Sequence, residues 1–344
     1  MSDPRVIAPN LKRRLSGVTA TIARLVPLQA KSIAIVATGP GLPAETPHLS
    51  ILQVMGLKRQ TLRVWHARRN TEMLLGLFLR TVLRKNLKLL FTSASQRAHS
   101  GYTKWLISKM DAVVATSQKT ASYLDRDADV ILHGIDLDGF SQTDDKSALR
   151  KKLSLPDGVL LGCYGRIRHQ KGTDAFVDAM IELCGQRDDV HGIVMGRATE
   201  KHQGFLSGLQ KKVADHGLQG RILFMSEVTV DQIPEWYQVL DLFVAPQRWE
   251  GFGLTPIEAM ACAVPVVATD VGAFSEIVAH DAVGRLVPPG EPRSLARAAA
   301  NMLENRSSLA DAGVAARQHV EKHFRIEREA QALIDVYNRL LSNT

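Results

Sequence analysis

Two short segments concentrate residue types that can bind a phosphorylated ligand. The first is EGFGLTPIE, in which Glu250 and Glu258 are separated by seven residues, with glycines between them that allow tight turns close to a ligand. Thr255 is predicted to cap the helix that follows, so that free backbone amides at its start face an anion. Helix capping alone explains Glu258 equally well, but it gives no role to Glu250.

The second segment is GRIRHQKG, directly after an apolar run, in which Arg166 and Lys171 are five residues apart and bracketed by glycines. Two fixed cations suit a diphosphate, because one charge pair at ~4 Å with an effective dielectric near 20 contributes about 4 kcal/mol before desolvation. A solvated basic turn is the alternative. The position at the end of a predicted strand favours ligand binding.

Short apolar runs alternate with amphipathic stretches along most of the chain, which predicts parallel strands connected by helices. The predicted strands are Val6–Ala8, Ser32–Ala37, Leu62–His66, Lys88–Phe91, Ala112–Ala115, Val130–Leu132, Val159–Tyr164, Gly192–Met195, Ile222–Phe224, Asp241–Ala245 and Pro265–Ala268. The polar segment Asp136–Asp157 interrupts the alternation and is interpreted as a linker. The predicted fold class is therefore α/β, with two doubly wound, Rossmann-like domains facing each other across a cleft that holds the ligand.

The predicted domain limits follow from this alternation. Residues 1–140 form an N-terminal domain, and residues 158–325 form a second domain. Residues 326–344 form a C-terminal helix, since Arg325–Leu341 has a helical pattern with no strand after it. We expect this helix to cross back to the first domain.

Four segments together resemble the family 4 retaining glycosyltransferases of GT-B fold. They are EGFGLTPIE, GRIRHQKG, the segment HGIDLDGF from His133 to Phe140, and VGAFSEIV, which ends at Val278. The resemblance is clear over about residues 111–341 and looser in the first domain. Among bacterial enzymes, the chain resembles most closely those that add mannose to the lipopolysaccharide core.

The resemblance implies that residues 1–140 form an acceptor-binding, membrane-facing domain and that residues 158–325 bind a nucleotide-sugar donor. It also implies roles for individual residues. Arg166 and Lys171 match positions that bind the donor diphosphate, Glu250 matches a contact to the transferred sugar, and Glu258 matches a contact to the ribose. Other implied donor-binding positions are Gly17, in the loop Ser16-Gly17-Val18, and Gly165, Phe252, Gly253, Leu254 and Thr255.

The first domain adds further candidates. His66 resembles the active-site histidine of the family, although a histidine at a strand end is as often structural. Arg68, Arg69 and Arg97 are candidates for binding a phosphorylated or acidic acceptor.

The charge is unevenly distributed. Residues 1–125 hold 19 Lys and Arg against 5 Asp and Glu, whereas residues 151–344 hold 21 against 24. This asymmetry predicts an anionic partner for the first half. The basic amphipathic pattern over Thr71–Lys85 predicts membrane contact through Arg80, Arg84, Lys85 and Lys88, with a core helix and an ordinary solvated face as the alternative. Nucleic acid is not favoured, because no recognition motif is present and aromatic residues make up only 6%.

The predicted function is therefore a retaining transfer of mannose from GDP-mannose to an anionic, lipid-linked acceptor of the lipopolysaccharide core. We expect no cofactor and no metal. A UDP-sugar-dependent enzyme with another acceptor, or a non-catalytic sugar-binding protein, are the alternatives. Without a signal-peptide pattern or disulfide spacing, the expected location is the cytoplasm, peripheral to the inner face of the membrane, with three buried thiols.

Overall fold

The computed structural model describes residues 3–13 and 17–342 and divides into two compact units. Unit 1 comprises residues 1–134 together with residues 326–344, and unit 2 comprises residues 135–325. Each unit contains one six-stranded parallel sheet with connecting helices, as the alternation of apolar and amphipathic segments predicts. The division after Gly134 differs from the predicted limit at residue 140.

Unit 1 begins with a doubly wound sheet of order β2-β1-β3-β4-β5-β6. Its strands are β1 Val6–Pro9, β2 Ile35–Thr38, β3 Arg63–Ala67, β4 Leu87–Ser93, β5 Ala112–Ala115 and β6 Asp129–Val130. Its first helices are α1 Gly17–Gln29, α2 Ile51–Gly56, α3 Asn70–Thr81, α4 Gly101–Ser108 and α5 Gln118–Ala121. Strands β1 to β3 are buried along their whole length, because helices cover both faces of the sheet.

Unit 2 repeats this architecture with the sheet order β12-β11-β10-β7-β8-β9. Its strands are β7 Val159–Tyr164, β8 Val190–Met195, β9 Ile222–Met225, β10 Leu242–Ala245, β11 Val266–Thr269 and β12 Gly284–Val287. Its helices are α6 Lys146–Lys152, α7 Thr173–Gln186, α8 Gln203–Asp215, α9 Ile233–Gln238, α10 Thr255–Ala261, α11 Phe274–Ile277, α12 Pro292–Leu303 and α13 Arg306–His323. Strand β12 was not predicted from the sequence, because its segment GRLV is short and contains an arginine.

The segment interpreted as a linker, Asp136–Asp157, belongs to unit 2 and contains α6. Arg150 on α6 donates to the Asp241 carboxylate at 2.7 Å and to the carbonyl of Val239. The same carboxylate oxygen, Oδ2, also accepts the backbone N–H of Leu160 in β7 at 2.8 Å. These contacts fasten the segment to the sheet of unit 2, so the prediction that it is a linker between the domains is wrong.

The last helix, α14 Ile326–Ser342, belongs to unit 1, as predicted for the C-terminal helix. Its apolar side chains join one core cluster with β1, β3 and α1. Glu329 lies in this interior, where its carboxylate accepts from His133 Nδ1 at 2.7 Å and from the backbone N–H of Gly134 at 2.8 Å. Burial raises the pKa of Glu329, but His133 and the Gly134 amide outweigh burial and hold the pKa below its usual value.

Two further features concern the cysteines and the composition of the helices. Cys163, Cys184 and Cys262 are free, buried thiols, which confirms the interpretation of the cysteines. Within residues 3–13 and 17–342, no helix combines the length and the apolar composition that crossing a membrane requires.

We expect Glu329→Ala to lower the free energy of unfolding by about 3 kcal/mol, because it removes the acceptor of two buried hydrogen bonds, from His133 and from the backbone N–H of Gly134. The measurement is urea unfolding at neutral pH. The exposed Glu327→Ala on the same helix is the control and should change stability by less than about 0.5 kcal/mol. Equal stability of the two variants would contradict a structural role for the buried carboxylate.

Candidate active site

The topology of unit 2 fixes where a ligand crevice can form. The chain passes from β7 outward through β8 and β9, then returns to the other side of β7 and continues outward from β10. The connections after β7 and β10 therefore diverge at the carboxyl edge of the sheet, which is where doubly wound sheets bind their ligands. The two segments with candidate ligand-binding residues, GRIRHQKG and EGFGLTPIE, follow β7 and β10 respectively.

Lys171 and Glu250 meet at this point. Lys171 ends a 3-10 turn after β7, and its ammonium donates to one carboxylate oxygen of Glu250 in the loop after β10. The second carboxylate oxygen accepts the backbone N–H of Gly251 at 3.0 Å. The side chains are only 24% and 16% exposed. Two residues from separate motifs thus form one partly buried ion pair.

Arg248 holds the two loops together. Its guanidinium forms a bidentate pair with Asp174 in the first turn of α7, at 2.6 and 2.9 Å, and also donates to the carbonyl of His169 at 2.7 Å. Its backbone N–H donates to the carbonyl of Gln170 at 3.0 Å. The sequence does not predict this pair, because Arg248 and Asp174 are 74 positions apart and neither belongs to a spaced motif. We call the Arg248–Asp174 pair the clamp.

The turn that carries Lys171 also requires a glycine after it. Gly172 has a φ of +71°, and a Cβ at this position would lie 1.8 Å from the carbonyl oxygen of Pro246. No other residue can bring the turn this close to the end of β10. The position of Lys171 is thus set by backbone contact as well as by its ion pair.

Arg166 follows Gly165 at the end of β7 and is exposed. Within the described part of the chain, its side chain has no hydrogen-bonding or ionic partner. An unengaged guanidinium on the loop that also carries Lys171 is available to a diphosphate. The predicted role of Arg166 in donor binding stays a prediction.

The helix after Glu250 differs from the prediction in its N-cap residue. Helix α10 begins at Thr255 and its N-cap is Leu254, so Thr255 is not the capping residue. The carboxylate of Glu258 accepts a hydrogen bond from the hydroxyl of Tyr237 at 2.7 Å. Burial and the neighbouring Glu258 raise the pKa of Tyr237 well above its usual value, so the phenol stays a donor. Phe252 is buried and Gly253 has a φ of +82°.

In unit 1 the corresponding crossover lies between β1 and β3. Gly17 starts α1 there, while Ser16 lies outside the described residues. Arg69 donates to Asn10 Oδ1 at 3.0 Å and to the fully buried Glu72 carboxylate at 2.6 Å. Arg69 therefore joins the loop after β1 to α3. The predicted role of Arg69 in acceptor binding stays a prediction.

A cavity of about 600 Å³ opens beside this crossover in unit 1. It lies at the carboxyl ends of β3 and β4, next to the first turns of α3 and α4, and its lining includes Arg68, Arg97 and His99 together with serine and threonine side chains. Among the described residues, none that lines it carries a carboxylate. Two of the three arginines predicted to bind an acceptor thus share a cavity with hydrogen-bond donors and no negative charge.

His66 is fully buried beneath this region. Its Nδ1 is 2.7 Å from the hydroxyl of Tyr337 on α14, and its Nε2 is 2.6 Å from Thr92 Oγ1. Burial, with a smaller contribution from Arg68, holds the pKa of His66 well below its usual value. Since both ring nitrogens are occupied, this placement does not support contact with a sugar. It supports the structural alternative.

The four predicted membrane-facing cations have different surroundings. Lys85 is only 8% exposed and its ammonium donates to the carbonyl of Leu57. Burial and two neighbouring arginines lower its pKa. Lys85 is therefore removed from the membrane-facing set. Arg80 pairs with Asp111 at 2.7 Å, Lys88 is partly buried in β4, and Arg84 is exposed.

Comparison with known proteins places these features in a family. A family model described as glycosyl transferases group 1 matches residues 145–319, which include the turn with Lys171, the clamp and both glutamates.

The chain belongs to the group 1 glycosyltransferases.

Two relatives extend the similarity to nearly the whole of this glycosyltransferase. The lipopolysaccharide core biosynthesis mannosyltransferase LpsB of Rhizobium meliloti is 51% identical, with 98% of each chain covered. The lipopolysaccharide core biosynthesis mannosyltransferase LpcC of Rhizobium leguminosarum bv. viciae is 47% identical, with 99% of this chain and 98% of the relative covered. The resemblance drawn from the motifs is thereby confirmed.

Solved structures show the same architecture. Anabaena Alr3699/HepE, solved in complex with UDP, superposes with a TM-score of 0.86 at 19% identity, covering 97% of this chain and all of its own. At this identity the likeness establishes the fold, and it agrees with two Rossmann-like domains.

We expect Lys171→Ala and Glu250→Ala each to lower turnover by about 10²-fold or more, because each removes charge or a contact at the crevice between β7 and β10. The measurement is initial rate at saturating donor, with thermal unfolding as a check on folding. Lys151→Ala, an exposed lysine on α6, is the control. Rates like those of the unmodified enzyme in both variants would refute the site assignment.

The buried His66 predicts a pH dependence of stability. The folded state keeps this ring neutral while the unfolded state protonates it near pH 6.5, so the unfolded state binds more protons and stability falls as pH falls below about 6.5. One such group contributes a slope of up to about 1.4 kcal/mol per pH unit. We expect His66→Gln to reduce the slope measured between pH 5 and 6.5. The exposed His216→Gln controls for loss of a histidine, and an equal slope in both variants would contradict the assignment.

Proposed function

We propose that this glycosyltransferase transfers mannose from GDP-mannose to a lipid-linked acceptor of the lipopolysaccharide core, with retention of anomeric configuration. The observation that carries the proposal is the near-complete alignment with LpsB at 51% identity, in a chain that also holds Lys171 and Glu250 together at the crevice of unit 2. The sugar and the acceptor class come from the printed names of the two Rhizobium relatives.

The transfer breaks the bond between the sugar C1 and the diphosphate oxygen and forms a bond from C1 to the acceptor oxygen. The proton of the acceptor hydroxyl passes to the departing phosphate. Negative charge therefore accumulates on the leaving diphosphate, and a fixed cation near this oxygen stabilises the transition state more than the ground state. We expect neither a resident cofactor nor a metal.

Lys171 and Arg166 would supply that positive charge. Lys171 is already ordered by Glu250 and by the Gly172 turn, so little reorganisation is needed when a diphosphate replaces the carboxylate as its partner. Glu250 is then released to accept hydroxyl hydrogen bonds from the sugar. Glu258, steadied by Tyr237, is our candidate for the ribose contact.

The cavity in unit 1 would receive the acceptor. Arg68 and Arg97 line a volume of about 600 Å³ without an opposing carboxylate, which suits a sugar that carries a carboxylate or phosphate. Because the proposed acceptor is linked to a lipid, we place the enzyme in the cytoplasm, at the inner face of the membrane. The strongly basic composition of residues 1–125 supports this placement.

A UDP-sugar donor is the second candidate. The observation in its favour is that Alr3699/HepE, which shares the fold, was solved with UDP. The loops after β8 and β9, where we expect the base to bind, do not distinguish guanine from uracil by residue type.

The test is a thermal-shift titration of the purified enzyme with GDP, UDP and ADP without added metal. A ligand at 100 times its dissociation constant adds about 2.7 kcal/mol of stability, which is readily measured. We expect GDP to stabilise most, and Lys171→Ala to abolish most of that effect while Lys151→Ala keeps it. A preference for UDP would overturn the donor, and no response to any nucleotide would favour a non-catalytic sugar-binding protein.

A further inference from the structure

Five large apolar or aromatic side chains are exposed on one pair of neighbouring helices in unit 1. Leu74 and Phe78 on α3, Val82 just after it, and Tyr102 and Trp105 on α4 are between 43% and 62% exposed. We call these five residues the apolar ridge. Single exposed apolar residues are ordinary, but a cluster of this size on adjacent elements indicates an interaction surface.

The two helices lie side by side and are joined at both ends. Asn70 at the start of α3 donates to Thr103 Oγ1 on α4 at 2.8 Å. Arg80 in the last turn of α3 donates to the carbonyl of Lys109, just after α4, at 2.9 Å. The inward sides of both helices supply Met73, Leu79 and Leu106 to the core. The ridge is thus an additional outward surface that the core does not need.

The charges around the ridge have one sign. Residues 70–110 contain seven Lys and Arg but a single acidic residue, Glu72, which is buried and bound to Arg69. Arg80 and Lys104 are engaged by Asp111 and Asp125 from outside this segment. Among the residues that the structure describes, the exposed side chains of Arg84, Arg97 and Lys109 have no bonding partner.

The aromatic members have the chemistry of a bilayer interface. The rings of Tyr102 and Trp105 are stacked, with centroids 6.2 Å apart and planes at 21°. Tyrosine and tryptophan favour the headgroup level, where one end of the side chain is apolar and the other is hydrated. Aromatic and aliphatic side chains flanked by cations match an anionic lipid surface.

We propose that the apolar ridge is a docking surface for an anionic phospholipid bilayer. A second copy of this chain is a poor occupant, because pairing the ridge with itself brings the same cations together. A bilayer instead buries the apolar side chains and supplies the negative charge that the ridge lacks. The proposed function enters this inference at one point: docking on the bilayer would bring the enzyme to its lipid-linked acceptor.

The ridge adjoins the proposed acceptor cavity. Asn70 and Thr103, which join the two helices, also line the cavity that contains Arg68 and Arg97. Trp105 is two residues beyond Thr103, a rise of about 3 Å along α4. An acceptor whose lipid tails stay in the bilayer could therefore present its anionic head to the cavity without leaving the membrane.

The test is co-sedimentation of the full-length protein with vesicles of phosphatidylcholine and phosphatidylglycerol in equal parts, and with phosphatidylcholine alone. We expect binding only to the anionic vesicles, and a loss of affinity of about tenfold or more in the double variant Phe78→Ser, Trp105→Ser. The matched control is Leu52→Ser with Val230→Ser, at two exposed apolar positions outside the ridge. It should bind as the unmodified protein does.

Binding of the ridge variant to anionic vesicles at the affinity of the unmodified protein would overturn the proposal. A dimer of the unmodified protein in solution that the ridge variant cannot form would also overturn it, in favour of a second copy. The GDP thermal shift, measured on the same variants, separates the proposal of a membrane-docking ridge from the proposed glycosyltransferase function. An unchanged shift with lost vesicle binding supports both, whereas no nucleotide response with ridge-dependent vesicle binding would refute the proposed function alone.

Discussion

The meeting of Lys171 with Glu250 is the constraint on which the rest of unit 2 depends. A partly buried ion pair is stable only when its geometry is held, because both charges lose hydration. The strand order brings the ends of β7 and β10 next to each other. The Arg248–Asp174 clamp fixes the loop after β10 to the start of α7, and Gly172 lets the turn with Lys171 approach β10. The carboxylate holds the ammonium where an anionic ligand would later bind, so the unliganded site is already ordered.

Unit 1 uses the same topology for a different purpose. At its crossover, Arg69 donates to both Glu72 and Asn10, so the charges of Arg69 and Glu72 neutralise each other within the fold. The open volume lies one strand further along, where Arg68 and Arg97 face a cavity without carboxylates. One unit thus keeps an internal counter-charge for its lysine, whereas the other leaves its cavity cationic.

The sequence predicted the features that depend on local pattern. Apolar runs located eleven of the twelve strands, and glycine-bracketed cations after a strand located Lys171 and Arg166. Features that depend on long-range contact were missed or wrong. The partner of Arg248 is 74 positions away, and His66 near the end of β3 is covered by Tyr337 of the last helix. One local prediction was also wrong, because the N-cap of α10 is Leu254 and not Thr255.

The basic half of the chain shows the same difference between what the sequence pattern predicts and what tertiary contacts determine. Counting charges predicts strong attraction to an anionic surface, yet Arg63 and Lys85 are buried and bind backbone carbonyls, and Arg80 is paired. Fewer cations act at the surface than the composition suggests. Attraction by the remaining exposed cations alone would be weak and sensitive to salt. Adsorption that persists at physiological ionic strength therefore requires apolar contact as well, and in unit 1 the exposed aromatic and aliphatic side chains of α3 and α4 can provide it.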